Sequence, residues 1–297
     1  METRIIKKND LDYPKRFSRL PGPPLHLHIR GQLADIPLVG VVGSRNADPR
    51  SLRFTENIAM TLSQRGFGIV SGGAAGIDTA AHRGALSAGG YTIAIIGSGF
   101  DFLYPPENKR LFEEIASQGA LITEFEPAVP PSRWTFPRRN RLVAAMSVAL
   151  VVVQASGRSG ALITARIARS IGVPVGAVPG YPGEERNSGC LQLIRGGAAL
   201  IENVDDILNM AYMDNFQTQL NLHGLINKGK ESSTFVPPNM PEDELEIWNR
   251  LGTDPVHVDD LVVSTGLDAT QTAVALLNLE LSGLIQDSGG KHFVRAK

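Results

Sequence analysis

Short apolar runs, most of them ending in a glycine- or serine-rich turn, recur through the first part of the sequence. They read LVGVVGSR (38–45), GFGIVSGG (66–73), YTIAIIGSG (91–99), ALITEF (120–125), SVALVVVQAS (147–156) and VPVGAVPG (173–180). Helical patterns lie between most of them, including the stretch from Pro49 to Gln64. Continuous apolar strands alternating with helices indicate a parallel sheet covered on both faces. We therefore predict an α/β fold with an extended, Rossmann-like, doubly wound and mostly parallel sheet.

The chain divides into four predicted parts. Residues 1–34 form an N-terminal extension, and residues 35–213 form the Rossmann-like domain. Residues 214–240 are polar, contain Ser, Asn and Pro, and lack sustained periodicity, which is typical of a linker. Residues 241–297 contain three short helical patterns and two short strands around Ser-Gly-Gly. That order predicts a small C-terminal winged-helix domain.

Charge is distributed unevenly along the chain, although the net charge is only −1. From Pro127 to Gly183 there is no Asp or Glu, and this window holds Arg133, Arg138, Arg139, Arg141, Arg158, Arg166 and Arg169. An acid-free segment rich in arginine predicts a site for phosphates. Residues 241–297, in contrast, hold ten acidic and four basic residues. The predicted winged helix is therefore acidic.

Cysteine usage and hydropathy indicate a cytoplasmic protein without a membrane segment. The single cysteine, Cys190, excludes an intramolecular disulfide and fits a reducing compartment. The first residues, METRIIKKND, lack the apolar segment of a secretory signal. The longest apolar stretch, at 142–153, is too short to span a bilayer.

The stretch SGGAAGIDTAAHRG (71–84) concentrates small residues in one strand-to-helix turn. Such a turn brings backbone N–H groups close to a ligand, and the positive end of the following helix faces the same place. The carboxyl ends of parallel strands share one edge of the sheet, so the turns after other strands are expected beside it. We predict that several phosphates bind there. The turns contribute Gly43, Ser44, Arg45, Gly72, Gly73, Ala74, Gly76, Ser159 and Gly160.

The run FPRRNR (136–141), with Trp134 just before it, adds aromatic and guanidinium groups to that edge. Single-stranded nucleic acid is bound by positive grooves that follow the phosphates and by aromatic or arginine faces on which bases stack. The residues of these types are Trp134, Phe136, Arg138, Arg139 and Arg141. Two alternatives stay open. The aromatic residues can instead be buried anchors of a loop, and Arg139 can pair with a carboxylate such as Glu124.

Several long motifs, in order over about residues 10–210, resemble the DprA/Smf family of DNA-processing proteins. They are GSRNAD, SGGAAGIDTAAHRGAL, GSGFDFLYPPENKRLFEEI, GALITEFEP followed by FPRRNRLVAAMS, and VVVQASGRSGALITARIA with NSGCLQLIRGGA. The resemblance implies a homodimeric protein that binds single-stranded DNA during natural transformation. It also implies that the protein hands incoming strands to the RecA recombinase and displaces single-strand-binding protein. The DNA pocket implied by the resemblance comprises Gly43, Ser44, Arg45, Gly72, Gly73, Ala74, Gly76, Arg138, Arg139, Asn140 and Arg141.

An enzyme is the alternative interpretation. Rossmann-like phosphoribohydrolases use a PGGxGTxxE loop whose Glu serves hydrolysis, and the similar stretch at 156–166 has no acid. Asp78 and His82 lie four residues apart and suit an acid–base or metal pair, but the helix dipole alone favours an Asp in a first turn. The other histidines are scattered along the sequence. We therefore predict no catalytic residue, no metal ligand and no cofactor.

The third helical pattern of the winged helix, at 267–283, is the candidate recognition helix. It contains Asp268 and Glu280 and has no Lys or Arg. Because an acidic face repels phosphate, we expect this helix to contact a protein partner or the second subunit of a dimer rather than to read duplex DNA.

Overall fold

The computed structural model describes residues 2–211, 241–252, 254–281 and 284–295. These residues form two compact units, one on each side of the segment 212–240. The predicted linker, 214–240, lies outside the described residues, and the predicted domain boundaries remain predictions.

The first unit is built around one sheet. Its strands are β1 Arg4–Lys7, β2 His26–Gly31, β3 Leu38–Gly43, β4 Gly68–Ser71, β5 Thr92–Ile95, β6 Ala120–Thr123, β7 Ala149–Val153, β8 Val175–Ala177 and β9 Ala199–Leu200. The strand order is β1-β2-β6-β5-β4-β3-β7-β8-β9. All neighbouring pairs from β6 to β9 are parallel, whereas β1, β2 and β6 pair antiparallel. The predicted mostly parallel α/β sheet is confirmed.

The N-terminal extension is part of this sheet. Residues 4–7 and 26–31, which the sequence analysis separates from the Rossmann-like domain, supply two antiparallel strands at its edge. Leu27 and Ile29 of β2 are fully buried in the hydrophobic core together with Phe17. Polar and apolar residues alternate in HLHIRG, so the extension lacks the continuous apolar run by which the other strands are recognised.

Helices cover both faces of the sheet. They are α1 Pro49–Gln64, α2 Ile77–Ser87, α3 Lys109–Gln118, α4 Thr135–Met146, α5 Gly160–Ser170, α6 Ser188–Arg195 and α7 204–211, with 3-10 turns at Lys15–Arg19, Phe100–Phe102, Pro106–Asn108 and Glu185–Asn187. In β3, Val39 and Val41 belong to the core that includes α1 and α2, whereas Leu38 and Val42 belong to the core that includes α4 and α5. Successive side chains of a strand point to opposite faces of the sheet, so this alternation shows that β3 is buried on both faces. It confirms the doubly wound arrangement.

The second unit is a winged helix, as predicted. Its elements are α8 Glu242–Arg250, β10 Val256–His257, α9 Val258–Thr265, α10 Ala269–Leu281, β11 Ile285–Gly289 and β12 His292–Arg295. The strands pair in the order β10-β12-β11, and a small core that includes Trp248, Leu261 and Leu279 joins them to the helices. In neither unit do the described residues form a helix that is both long and apolar enough to cross a membrane.

Candidate nucleic-acid interface

A cleft of about 480 Å³ opens at the carboxyl ends of β3, β4 and β7. Strands β3 and β7 are neighbours, and the chain leaves them toward opposite faces of the sheet, through α1 and α5. Ligands of doubly wound proteins bind at such a switch point. Ten of the fourteen predicted site residues line the cleft, namely Gly43, Ser44, Arg45, Gly72, Ala74, Phe136, Arg139, Asn140, Ser159 and Gly160.

Arg45 and Phe136 are in contact within the cleft. Arg45 is exposed, and its guanidinium carbon lies 4.9 Å from the centroid of the Phe136 ring, a cation–π contact. Phe136 lies in the first turn of α4 and is half-buried, and the centroid of the Tyr104 ring is 6.1 Å from that of Phe136. The cleft therefore presents an exposed guanidinium that is supported by an aromatic ring.

The loop that carries Arg45 is held by Gln154, a residue that the sequence analysis does not single out. Gln154 follows β7 with a φ of 49°, a left-handed conformation that is uncommon outside glycine. Its carbonyl oxygen accepts a hydrogen bond from the Ser44 N–H at 2.8 Å, and its side-chain oxygen accepts one from the Asp48 N–H at 2.9 Å. Its side-chain amide also donates to the Asp48 carboxylate. Backbone strain of this kind is typical of functional sites.

Asp48 immediately precedes α1 and helps Gln154 to hold the loop that carries Arg45. Its carboxylate accepts hydrogen bonds from the backbone N–H groups of Arg50 and Ser51, both at 2.9 Å. The bond from Ser51 is the main cause that lowers the pKa of Asp48. The carboxylate is therefore a charged N-cap, and it links the start of α1 to Gln154.

The turn 71–76 differs from its predicted role. The carboxylate of Asp78, in the first turn of α2, accepts hydrogen bonds from the N–H groups of Gly72 at 3.1 Å and Ala74 at 3.3 Å. Burial raises the pKa of Asp78, against the lowering effects of the Arg139 charge and of these N–H groups. The two N–H groups that were expected to face a phosphate therefore already bind a carboxylate of the protein. Gly76 has a φ of 77°, and a Cβ there would overlap the carbonyl oxygen of Ser44.

Gly73 does not line the cleft, and its Cβ direction points into the core, so its predicted phosphate contact through the backbone remains a prediction. Its φ is 69°, and a Cβ would lie 2.7 Å from the Phe112 ring in the core beneath α3. Its carbonyl oxygen accepts a hydrogen bond from the side chain of Asn108 at 3.0 Å. A side chain at Gly73 would collide with the core rather than stand between the turn and a ligand.

Arg139 forms part of the cleft wall but is only 4% exposed. Its Nη1 donates to the carbonyl oxygen of Ile95 at 2.7 Å, and its buried Nε has no hydrogen-bond partner. Burial lowers the pKa of Arg139 to about 10, and the Asp78 charge opposes that effect. The guanidinium also fills the space that a side chain at Gly72 would need. The alternative of an Arg139 pair with Glu124 is therefore not observed.

Glu124 pairs instead with Arg138 and Arg141. Its Oε2 accepts a hydrogen bond from the Nε of Arg138 at 3.1 Å and another from the Nη2 of Arg141. The Nη1 of Arg141 donates to the carbonyl oxygen of Gly22 at 2.7 Å. Residues three apart share one face of a helix, so both arginines leave α4 on the Glu124 side while Arg139 faces the cleft. Arg138 and Arg141 do not line the cleft. Trp134 is exposed, and its ring meets Phe125 edge-on.

Sequence reasoning missed Arg186 and Thr164, which line the cleft together with Arg133 of the arginine-rich window and Ser156 of the turn after β7. Arg186 comes from the 3-10 turn after β8, where it directly follows Glu184 and Glu185, so the charge pattern concealed it. The N-terminus of α5 also opens into the cleft, with Ser159 as N-cap through a bond from the Ala161 N–H at 3.2 Å. The positive end of a helix favours an anion there.

The acid–base pair of the enzyme alternative, Asp78 and His82, is buried in the structure. Among the described residues that line the cleft, Asp78 is the only carboxylate, and it is buried and hydrogen-bonded to the turn. Its predicted acid–base partner, His82, is fully buried, and burial together with the Arg139 charge lowers its pKa to about 3. Its Nδ1 lies 2.8 Å from the hydroxyl of Thr92. Both side chains hold α2 against the sheet.

Comparison with known proteins agrees with this architecture. A family model described as DNA recombination-mediator protein A matches residues 4–212, and one described as the DprA winged helix domain matches residues 231–291. Protein Smf of Synechocystis sp. is 35% identical over 318 residues, which cover 98% of this chain and 80% of that protein.

Two solved structures are also similar. That of DNA processing protein A from Streptococcus pneumoniae has a TM-score of 0.67 and 38% identity, covering 70% of this chain and 74% of that one. The structure of DNA processing protein A from Helicobacter pylori, whose description refers to a unique single-stranded DNA binding mode, has a TM-score of 0.64 and 32% identity. The match covers 72% of this chain and 97% of that one. The resemblance found in the sequence motifs is thus confirmed, and this chain belongs to the DNA recombination-mediator protein A (DprA/Smf) family.

Proposed function

We propose that this chain binds single-stranded DNA in the cleft at the carboxyl ends of β3, β4 and β7, as a DNA-processing protein of natural transformation. Membership of the DprA/Smf family supports the general role. The single-stranded DNA binding of the Helicobacter pylori protein supports the choice of ligand. The cleft residues of this chain support the location.

The observation that carries the proposal is the contact of Arg45 with Phe136 beside the N-terminus of α5. The exposed guanidinium of Arg45 rests on the Phe136 ring, so it offers a charge for a phosphate oxygen and a flat face on which an unstacked base can stack. A duplex keeps its bases inside and cannot use such a face. The combination therefore favours single-stranded DNA over duplex DNA.

The remaining cleft groups suit a backbone that is held without regard to sequence. Arg133 and Arg186 contribute two further positive side chains, and the N-terminus of α5 offers a partial positive charge at Gly160. Contacts of these kinds go to phosphates, which carry no base information. Binding is therefore expected to be strong at low salt and tolerant of sequence.

The finer steps rest on the resemblance of the sequence motifs to the family and belong to the same proposal. The protein acts without catalysis in the cytoplasm, displaces single-strand-binding protein and loads RecA onto the bound strand. It does so as a homodimer. One cleft holds only a short stretch of DNA strand, and once one cleft of a dimer has bound, the strand is present at a high effective concentration for the second cleft.

The winged-helix unit is proposed to bind a protein rather than DNA. Helix α10 exposes two apolar side chains three residues apart, Val274 (52% exposed) and Leu277 (53% exposed). The helix has no basic residue that would contact phosphate. Exposed apolar side chains together with the acidic Glu280 suit a protein surface rather than a phosphate backbone.

The cleft is tested with a charge that the fold tolerates. Gly160 is the first residue of α5, and a Cβ there meets open space. In Gly160→Glu a carboxylate enters the cleft, while the helix dipole favours an acid at that position. We expect affinity for a labelled single-stranded oligonucleotide to fall at least about tenfold, or about 1.4 kcal/mol, in fluorescence anisotropy.

The matched control for that variant is Gly22→Glu. Gly22 belongs to the same unit, is exposed, has an equally open Cβ direction and does not line the cleft. It adds the same charge and is expected to leave affinity unchanged. Equal losses in the two variants, or normal binding by a folded Gly160→Glu protein, would place the DNA elsewhere.

The role of Arg45 is tested against an arginine that is already paired. Arg45→Ala should weaken binding and reduce the slope of log affinity against log salt by about 0.7, the share of one phosphate contact on single-stranded DNA. Arg138→Ala removes the same charge from the Glu124 pair and should leave the slope nearly unchanged. Equal slopes in both variants would count against the cleft.

A further inference from the structure

Two histidines of β2 form a cluster that the DNA-binding proposal does not use. His26 and His28 are two residues apart in β2, so both side chains leave the same face of the sheet. Glu126 reaches them from the segment that follows β6, the neighbouring strand. The sequence analysis treats the histidines as scattered. The antiparallel pairing of β2 with β6, which the apolar pattern does not reveal, brings this group together.

The three side chains place their ligand atoms around one point. The Nε2 of His26 lies 3.0 Å from one carboxylate oxygen of Glu126, and the Nε2 of His28 lies 3.5 Å from the other. One potential ligand atom from each residue lies within 4.8 Å of those of the other two. A tetrahedral zinc ion with bonds of about 2.0–2.1 Å separates its ligand atoms by about 3.3 Å. Small side-chain adjustments therefore suffice to surround an ion.

Both imidazoles direct a buried nitrogen at this point. The Nε2 atoms of His26 and His28 are shielded from solvent, and neither has a partner with hydrogen-bond geometry, despite the nearby carboxylate. His28 is almost wholly buried, with 4% of its side chain exposed. Buried polar atoms nearly always have a partner in native proteins. Two neighbouring exceptions that face one carboxylate fit a pair of metal ligands.

The surrounding groups leave room for that cation. Arg30, the next residue on the same face of β2, turns its guanidinium onto the Phe100 ring at 4.6 Å and donates from Nε to the Thr3 hydroxyl at 3.0 Å. The two imidazole planes are inclined at 88° with centroids 5.4 Å apart, so they approach a shared point from different directions. Glu126 is exposed, which leaves a path from solvent.

We propose that His26, His28 and Glu126 bind one divalent transition-metal ion, with zinc as the best match. Two imidazoles and one carboxylate are a donor set that zinc accepts, and solvent supplies a fourth ligand at the exposed side. Magnesium and calcium prefer oxygen ligands throughout. The ion joins strand β2 to the segment that leads from β6 toward α4.

The test measures zinc binding by the full-length protein without a polyhistidine tag and without DNA. Competition with a chromophoric chelator gives stoichiometry and affinity, and the visible absorption of bound Co²⁺ reports tetrahedral geometry. We expect one zinc ion per chain. His28→Gln and Glu126→Gln should each weaken binding by about a hundredfold or more, since the loss of a group that merely orients a metal ligand already costs about ten- to a hundredfold.

The matched control is His257→Asn in the winged-helix unit. His257 and His292 also place their rings together, with centroids 4.9 Å apart, but they do not belong to a group of three close ligand atoms among the described residues. Asn preserves the capping of α9 by His257. This variant should bind zinc as the wild type does.

Two results would overturn the assignment. One is a wild-type protein that binds no stoichiometric zinc. The other is normal zinc binding by the variants of this cluster. Because His28 is buried, His26→Asn at the more exposed position serves as a second variant, and circular dichroism in chelator confirms that each protein is folded. The assay contains no DNA, so its outcome is independent of the DNA-binding proposal.

Discussion

His82 should make the first unit sensitive to acid, and this sensitivity separates a structural histidine from a catalytic one. The hydroxyl of Thr92 donates its proton to the carbonyl oxygen of Ile69 at 3.0 Å, so His82 must supply the proton of the 2.8 Å contact between its Nδ1 and that hydroxyl. The neutral ring therefore carries its proton on Nδ1. Its Nε2 is buried without a partner, so protonation there would bury an unpaired positive charge close to Arg139.

The size of the effect follows from the two pKa values. Burial, with a contribution from Arg139, lowers the pKa of His82 to about 3 in the folded protein, against about 6.5 in the unfolded chain. The unfolded state therefore binds more protons between these values, and stability falls as the pH falls below about 6.5. Between pH 7 and pH 5 the free energy of unfolding should drop by about 2 kcal/mol. For a unit of this size the melting temperature should fall by about 4–8 °C.

The assay is urea unfolding of the wild type and of His82→Gln at pH 7, 6 and 5. Other groups titrate over this range, and the difference between the two proteins isolates His82. The variant should be less stable at pH 7, because it loses a well-packed ring, but its stability should depend less on pH. Parallel pH profiles, agreeing within about 0.5 kcal/mol, would refute a buried neutral His82 and restore it as a candidate acid or base.

Other consequences concern the cleft and its supports. Gly73→Ala should lower the free energy of unfolding by about 1–3 kcal/mol, because Gly73 has a positive φ and its Cβ direction meets the Phe112 ring. Gly160→Ala should cost less, because a Cβ at Gly160 meets open space. Equal urea midpoints for the two variants would contradict this expectation. Glu124→Gln should lower the melting temperature without weakening single-stranded DNA binding, since it unpairs Arg138 and Arg141 outside the cleft. Residues 1–213 alone should bind single-stranded DNA nearly as well as the full chain in a mobility-shift assay, and a loss of binding would move the site to the winged helix. Sedimentation of the 31.9 kDa chain at micromolar concentration should show a dimer, and a pure monomer would exclude the proposed assembly.

The sequence by itself determines the fold class and the place of the cleft. Continuous apolar strands such as β3 and β7 are recognisable because both of their faces are buried, and α1 begins and ends where its pattern predicts, with Asp48 as N-cap before Pro49. Parallel strands share a direction, so the turns after them must meet at one edge of the sheet. That reasoning places Arg45 and Gly160 in one cleft without any coordinates.

Tertiary structure alone decides which neighbour each side chain meets. Arg138, Arg139 and Arg141 are adjacent in sequence and equivalent in charge, yet the rotation of a helix sends the first and last to Glu124 and the middle one into the cleft wall. Local pattern records the spacing of residues in the chain but not the direction of a side chain relative to distant segments.

The same limit applies to the turn 71–76 and to β2. The N–H groups of Gly72 and Ala74 bind the carboxylate of Asp78, a residue of the same motif, and Gly76 allows the start of α2 to approach Ser44 closely. Glu126 lies about a hundred positions after His26 and His28 in the chain, and it meets them only because β2 pairs antiparallel with β6. Contacts across strands depend on pairing and register, which the short polar–apolar alternation of β2 does not specify.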